Sequence, residues 1–297
     1  MKISSILLWL SCLLFSLTLS AQQERILNYE VDLVVNTDRS IVVTELIEVY
    51  VAGQQIKRGI TRSFPQERDL NGRTVSTKYE LLHIKKNGAE EPYLREEQGG
   101  DLMLYIGQRE VLLEPGEYSY EIKYRVPNQI GFYDDYDEIY WNAVGTDVRF
   151  PVEKASCRVH IPEGASIIQQ AAYTGGYSSV GDNYTTRFED GVVNFEITES
   201  LLPREGFTVA VGFQKDMVTA PGFFDRFGTL VIIVIGLLLL LPYYFLTWFR
   251  YGQDPATPAS YPLFESPDDL SPASINYILK EGYQNKSFTA SVVSLAI

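Results

Sequence analysis

The segment FGTLVIIVIGLLLLLPYYFLTWF, Phe227–Phe249, is 23 residues long and holds no charge. An α-helix of this length reaches roughly 35 Å, enough to cross a hydrocarbon core of about 30 Å with some tilt. Asp225 and Arg226 precede it and Arg250 follows. Tyr243, Tyr244, Trp248 and Phe249 crowd its C-terminal end, where aromatic rings favour the headgroup level. Pro242 is expected to bend the last turns. A transmembrane helix over 227–249 follows, with membrane lipid as the first partner.

A second apolar stretch, Ile6–Leu19, sits behind Lys2 and ahead of the small residues Ser20 and Ala21. It is too short for an ordinary span and matches a secretory signal peptide over 1–21; an uncleaved anchor is the alternative. The signal peptide sets the orientation, because Lys215, Arg226 and Arg250 flank the span too evenly to do so. Residues 22–226 are expected outside the cytoplasm and the chain from Arg250 inside. Of the 38 acids and 25 bases, residues 22–222 carry 32 and 20, so nearly all of the net charge of -13 falls on the exported part. Such a charge keeps a domain soluble and repels phosphate backbones, which excludes nucleic acid as a partner by bulk electrostatics.

The exported region reads as β throughout. Leu27, Tyr29, Val31, Leu33 and Val35 alternate with polar residues, as do Tyr118, Tyr120, Ile122, Tyr124 and Val126. Ile41–Val51 is a further strand, and shorter alternations recur at Cys157–Ile161, Val193–Ile197 and Phe207–Phe213. Asn87-Gly88 is a hairpin signal between Lys78–Lys86 and the run Tyr93–Arg95. Many short strands with turn residues between them predict an antiparallel β-sandwich over 22–222, one large or two small, with the seam of the latter near 151–165. Two His and two Cys exclude a zinc module and a disulfide scaffold. With the signal peptide removed, Cys157 is alone and reads as a small buried hydrophobe.

Five prolines, at positions 255, 258, 262, 267 and 272, mark residues 250–270 as a semi-rigid cytoplasmic linker. Ser271-Pro272 then reads as an N-cap with Pro at N1, opening a helix through Ile275, Ile278 and Leu279 that Gly282 ends. Ser287 is expected to cap a second helix carrying Phe288, Val292, Val293 and Leu295. Because that apolar pattern is still running at Ile297, residues 271–297 are expected to be the start of a longer helical module.

No P-loop, HExxH, GxSxG elbow or dinucleotide fingerprint occurs, so no cofactor and no catalytic residue is implied. His83 and His160 lie within strand patterns and read as surface strand residues. The most concentrated polar feature is Gly131–Asn142, where Asp134, Asp135, Asp137 and Glu138 are interleaved with aromatic residues. Carboxylates this dense can hold Ca²⁺, and acids beside aromatics suit a glycan or peptide surface, but the spacing fails the EF-hand loop. A solvated loop is the favoured alternative, with the acids as an exposed edge and Tyr140 and Trp141 both filling the core behind it. As binding residues the candidates are Asp134, Asp135, Asp137, Glu138 and Trp141, and no metal ligand is assigned.

Gly59-Ile-Thr-Arg62-Ser-Phe-Pro65, Glu138-Ile-Tyr-Trp141-Asn142-Ala-Val-Gly145, Ile161-Pro162-Glu-Gly164 and the segment after the span, Tyr251-Gly-Gln-Asp254-Pro255 with Ser266-Pro-Asp-Asp-Leu-Ser-Pro272-Ala, resemble stretches of the bacterial membrane proteins of the domain of unknown function 2207 family. The resemblance covers about 25–297 and implies a membrane location in the bacterial cell envelope. It carries no activity and transfers no site residue. Two readings stay open. One is a membrane-anchored module that binds, senses or scaffolds outside, with an envelope protein or glycan as partner. The other is a cell-envelope hydrolase using carboxylates of the exported domain.

Overall fold

The computed structural model describes residues 23–70, 73–252, 259 and 266–296. The expected signal peptide lies outside these residues, as does much of the proline-rich linker. The chain divides into two compact units, one ending at Gly222 and one beginning at Phe223.

The first unit is built from strands alone among its described residues. In chain order they are β1 Arg25–Val35, β2 Ile41–Val51, β3 Gly59–Pro65, β4 Glu67–Leu70, β5 Arg73–Ser76, β6 Glu80–Lys86, β7 Ala89–Glu90, β8 Tyr93–Gln98, β9 Asp101–Gly107, β10 Gly116–Val126, β11 Ile130–Phe132, β12 Asp137–Val144, β13 Ala155–His160, β14 Ile167–Gly175, β15 Tyr184–Glu189, β16 Val192–Ile197 and β17 Gly206–Phe213. Eight of them form a sheet in the order β15-β16-β13-β1-β2-β10-β6-β7, and four a second sheet in the order β11-β12-β17-β14. A three-stranded sheet β3-β9-β8 and the hairpin β4-β5 complete the unit.

Alternation along the strands sets what is buried. On β10, Tyr120, Ile122, Tyr124 and Val126 are fully enclosed while Glu121, Lys123 and Arg125 are not. The same core receives Phe64 from β3, Leu102 and Leu104 from β9, Ile139 and Trp141 from β12, and Phe207 through Phe213 from β17. Side chains of the two large sheets meet within it: the Tyr124 and Trp141 rings lie 6.5 Å apart. Cys157 is wholly buried, and burial pushes its thiol well above the usual range.

Several expectations change. The large sheet is mixed, not antiparallel, because β1 and β13 run parallel over six residue pairs. Alternation reports which face is buried and says nothing of strand direction. The region 151–165 is no seam, since β13 enters the middle of the sheet that β1 begins. Leu27 does not share the inward face of β1; a register shift between Ile26 and Asn28 puts Ile26 there instead. Asn87 and Gly88 do turn a hairpin, both with positive φ, but it joins β6 to the two-residue β7. The strand at Tyr93 pairs with β9 in another sheet.

The second unit holds helix α1 Phe223–Tyr251, whose apolar window has a mean hydropathy of 2.6. It is the one helix among the described residues long and apolar enough to cross a membrane. Helices α2 Pro272–Lys280 and α3 Asn285–Leu295 follow. Ser271 caps α2 as expected, accepting a 3.2 Å bond from the Ser274 N–H. The residue that turns left-handed at its end is Glu281, with φ of 49°, rather than Gly282. Ser287 is no cap: it is buried inside α3 and accepts a 2.8 Å bond from Asn276 Nδ2, tying α3 to α2.

Candidate functional site

The acidic-aromatic run forms the β11–β12 hairpin. The Tyr133 N–H bonds the Tyr136 carbonyl at 3.0 Å, and the two rings stack with centroids 4.8 Å apart. Asp134 and Asp135 stand exposed at the tip. Asp137 does not join them. It lies on the strand face shared with Ile139 and Trp141, its side chain is 1% exposed, and Lys215 Nζ reaches its Oδ1 at 3.0 Å. Glu138 faces the other way and accepts from Gln169 Nε2 at 3.0 Å. Burial, and then the Glu138 charge, push the Tyr133 phenol above its usual range. Tyr140 cannot share the core with Trp141, because neighbours on a strand point to opposite faces; Tyr140 is exposed and Trp141 is buried. The predicted edge of four acids is therefore split: two outward at the tip, Glu138 bonded to Gln169, and Asp137 turned into a buried ion pair.

A concave site lies on the other side of Trp141, with a volume of about 390 Å³. Arg62, Phe64 and Trp141 make its buried floor. Tyr79 and Tyr140 wall it, and Ser63, Asp101, Asn142, Thr146 and Asp147 supply polar atoms at the rim. Two of the stretches that carry the family resemblance, 59–65 and 138–145, thus converge from β3 and β12 on one cavity. Thr208 Oγ1 donates to Asn142 Oδ1 at 2.8 Å and orients that amide. A Cβ at Gly145 would sit 2.2 Å from Asp147 Oδ1, so a larger residue there would turn that side chain aside. As it stands, Asp147 Oδ1 lies 3.8 Å from Arg62 Nη1.

The floor is held from behind by Glu45. This residue occupies a core-facing slot of β2, in phase with Val43, Ile47 and Val49, and is completely buried. Arg62 Nε donates to Glu45 Oε2 at 2.8 Å and Nη2 to Oε1 at 3.0 Å, a bidentate pair. Register supplies the rest. Glu45 stands opposite Val31 of β1 and Ile122 of β10, so Tyr29 and Tyr124 are its diagonal neighbours on the same face. Their hydroxyls donate to Glu45 at 2.7 Å and 2.5 Å. Each carboxylate oxygen therefore accepts two bonds, which offsets the cost of burying the charge. Burial is the main force pushing the Tyr29 and Tyr124 phenols well above their usual range, so both stay protonated donors. Burial works against the Arg62 charge, but Glu45 beside it wins and keeps the guanidinium firmly protonated.

Arg62 Nη1 also donates to the Ser63 carbonyl at 2.8 Å, and its guanidinium lies 4.9 Å from the centre of the Phe64 ring. Phe64 in turn packs against Tyr79 and Tyr124 at 4.8 Å and 4.9 Å. One aromatic wall thus runs from the cavity to the phenol that bonds Glu45. Glu45 has no free lone pair for proton transfer; its part is to fix the floor. Sequence reasoning missed this group, although an acid in the apolar phase of β2 was the signal for it. The histidines lie elsewhere: His83 is 2.5 Å from Glu121 and His160 is 3.2 Å from Asp32, each across neighbouring strands.

The chain is similar to the uncharacterized protein YciQ of Escherichia coli strain K12, with 26% identity over 93% of this chain and 45% of that protein. It therefore spans less than half the length of that relative. Among solved structures, yeast leukotriene A4 hydrolase aligns with a TM-score of 0.40 at 7% identity, over 64% of this chain and 29% of the enzyme. The M1 zinc metallopeptidase of Deinococcus radiodurans aligns with a TM-score of 0.37 at 12% identity, over 63% and 42%. Likenesses this distant say nothing of activity. Residues 25–213 match the N-terminal domain of the predicted membrane proteins called DUF2207, which covers most of the β unit and both stretches that line the cavity, and the chain belongs to that family.

Proposed function

We propose that this chain is a single-span protein of the bacterial envelope whose exported β-sandwich binds a ligand in the Arg62–Trp141 cavity without catalysing a reaction on it. The observation that carries the reading is the cavity itself: an aromatic-walled hollow whose charged floor is fixed by a fully satisfied buried carboxylate. Such preorganised polar groups among apolar walls are the usual mark of a ligand site. The shared core and the Tyr124–Trp141 contact support the face-to-face packing of the two large sheets. The signal-peptide pattern and the single apolar helix support an exported β unit and a cytoplasmic tail. The hydrolase alternative drew on the acids of the hairpin, and these are dispersed: Asp134 and Asp135 outward, Asp137 on Lys215, Glu138 on Gln169.

The test uses the full chain purified from its own membranes and analysed by native mass spectrometry. A co-purifying mass is expected on the parent and lost in Thr146→Trp, which fills the exposed rim of the cavity. Joint replacement of Asp134, Asp135 and Glu138 by their amides should leave that mass in place. Loss with the hairpin variant and retention with Thr146→Trp would move the site to the hairpin.

A further inference from the structure

We propose that the cavity takes an organic cation, a guanidinium or ammonium group on an aliphatic stem; this rests on the binding reading above. Among the described residues, three charged side chains line the cavity: Arg62, Asp101 and Asp147. The Arg62 charge is matched from behind by Glu45 through two bonds of 2.8 Å and 3.0 Å, so that pair is neutral as seen from the hollow. Among the described residues Asp101 receives a neutral donor, Ser63 Oγ at 2.8 Å, and Asp147 lies 3.8 Å from a guanidinium already paired elsewhere. Two carboxylates are therefore in excess.

The walls act in the same sense. Phe64, Tyr79, Tyr140 and Trp141 line the hollow, and an aromatic face attracts a cation. Arg62 itself shows that the site accommodates a guanidinium over Phe64, at 4.9 Å. The exported region, with 32 acids against 20 bases, raises the local concentration of cations and repels anions. An anionic ligand would meet Asp101 and Asp147 with no unpaired base among the described lining residues to receive it. A cation can take both carboxylates while its stem lies against the rings.

Argininamide and citrullinamide, both acetylated at the α-amino group, separate charge from shape, because only the first then carries a cation. Each is titrated into the full chain in dodecyl maltoside micelles, which carry no ammonium group, and followed by calorimetry. Argininamide should bind, citrullinamide should bind at least about tenfold more weakly, and Asp101→Asn with Asp147→Asn should abolish the difference. Repeating the titration in phosphatidylethanolamine nanodiscs identifies the source: competition would point to a headgroup ammonium, and its absence to a cation delivered from solution. Equal binding of the two probes, or full binding to the double variant, overturns the proposal. If argininamide fails to bind while Thr146→Trp still loses its co-purifying mass, the cavity stands and the cation falls. If both fail, the binding reading falls with it.

Discussion

The β11–β12 hairpin and the Arg62 cavity are made of the same residue types, acids and aromatics, yet they differ in how those residues meet. In the hairpin they are adjacent in sequence, and strand alternation scatters them: Asp137 turns in, Glu138 turns out, and Asp134 and Asp135 project from the tip. In the cavity they come from residues 62–65, Tyr79, Asp101 and 140–147, and converge. Density in the sequence therefore made a conspicuous motif but not a concave site. The two regions share strand β12, whose Trp141 lines the cavity.

The difference should appear first in stability. Arg62→Ala leaves the Glu45 charge buried without its main partner and should cost about 3 to 5 kcal/mol in a denaturant melt of the full chain. A cost near zero would mean that Glu45 is hydrated and the floor is not fixed. Ile122→Ala, opposite Glu45 on β10, should cost about 2 to 5 kcal/mol, whereas its outward neighbour Lys123→Ala should change stability by less than about 0.5. In the hairpin the effects should divide by direction. Asp137→Asn weakens the bond from Lys215 and should cost about 1 to 3 kcal/mol, while Asp134→Asn should stay within about 0.5. Equal effects at 134 and 137 would restore the four acids to one exposed edge.

A pH series sharpens the same contrast between acids that turn in and acids that turn out. Glu24 is buried, which raises its carboxyl, but N–H groups of Gln55, Ile56, Gln54 and Ala52 outweigh that and hold it below its ordinary value of 4.5. Its folded value being depressed, its contribution to stability is complete above that ordinary value and drains as the pH falls through the lower folded one. The advantage of the parent over Glu24→Gln should therefore be constant near neutrality and shrink on acidification below about 4.5. An advantage that grows in acid would contradict the bonding of this loop.

Much of the fold was legible because one-sided burial writes a period of two into the sequence. Tyr120, Ile122 and Tyr124 could be placed inward from β10 alone. What alternation cannot carry is strand direction and partner choice, so the parallel β1–β13 pair and the docking of β8 on β9 were out of reach. The long apolar helix α1 was legible from length and apolarity, and the α2 cap from Ser271-Pro272, whereas the start of α3 was misplaced because Ser287 faces α2 instead of a helix end. The site was legible only in pieces. Arg62 and Trp141 stood in the stretches that carried the family resemblance, but nothing local to either said that they meet. Glu45 was visible as an acid where Val43 and Ile47 called for an apolar neighbour, a mismatch that only a tertiary partner explains.

The central claim is that ligand meets the cavity and not the hairpin, and two tyrosines allow a matched comparison. Tyr140 borders the cavity and is 42% exposed; Tyr133 belongs to the hairpin and is 38% exposed. Each is replaced in turn by the photoreactive p-benzoylphenylalanine in the full chain, and intact envelopes are illuminated. The account predicts a discrete adduct from position 140 and none from position 133. An adduct from position 133 alone would contradict it.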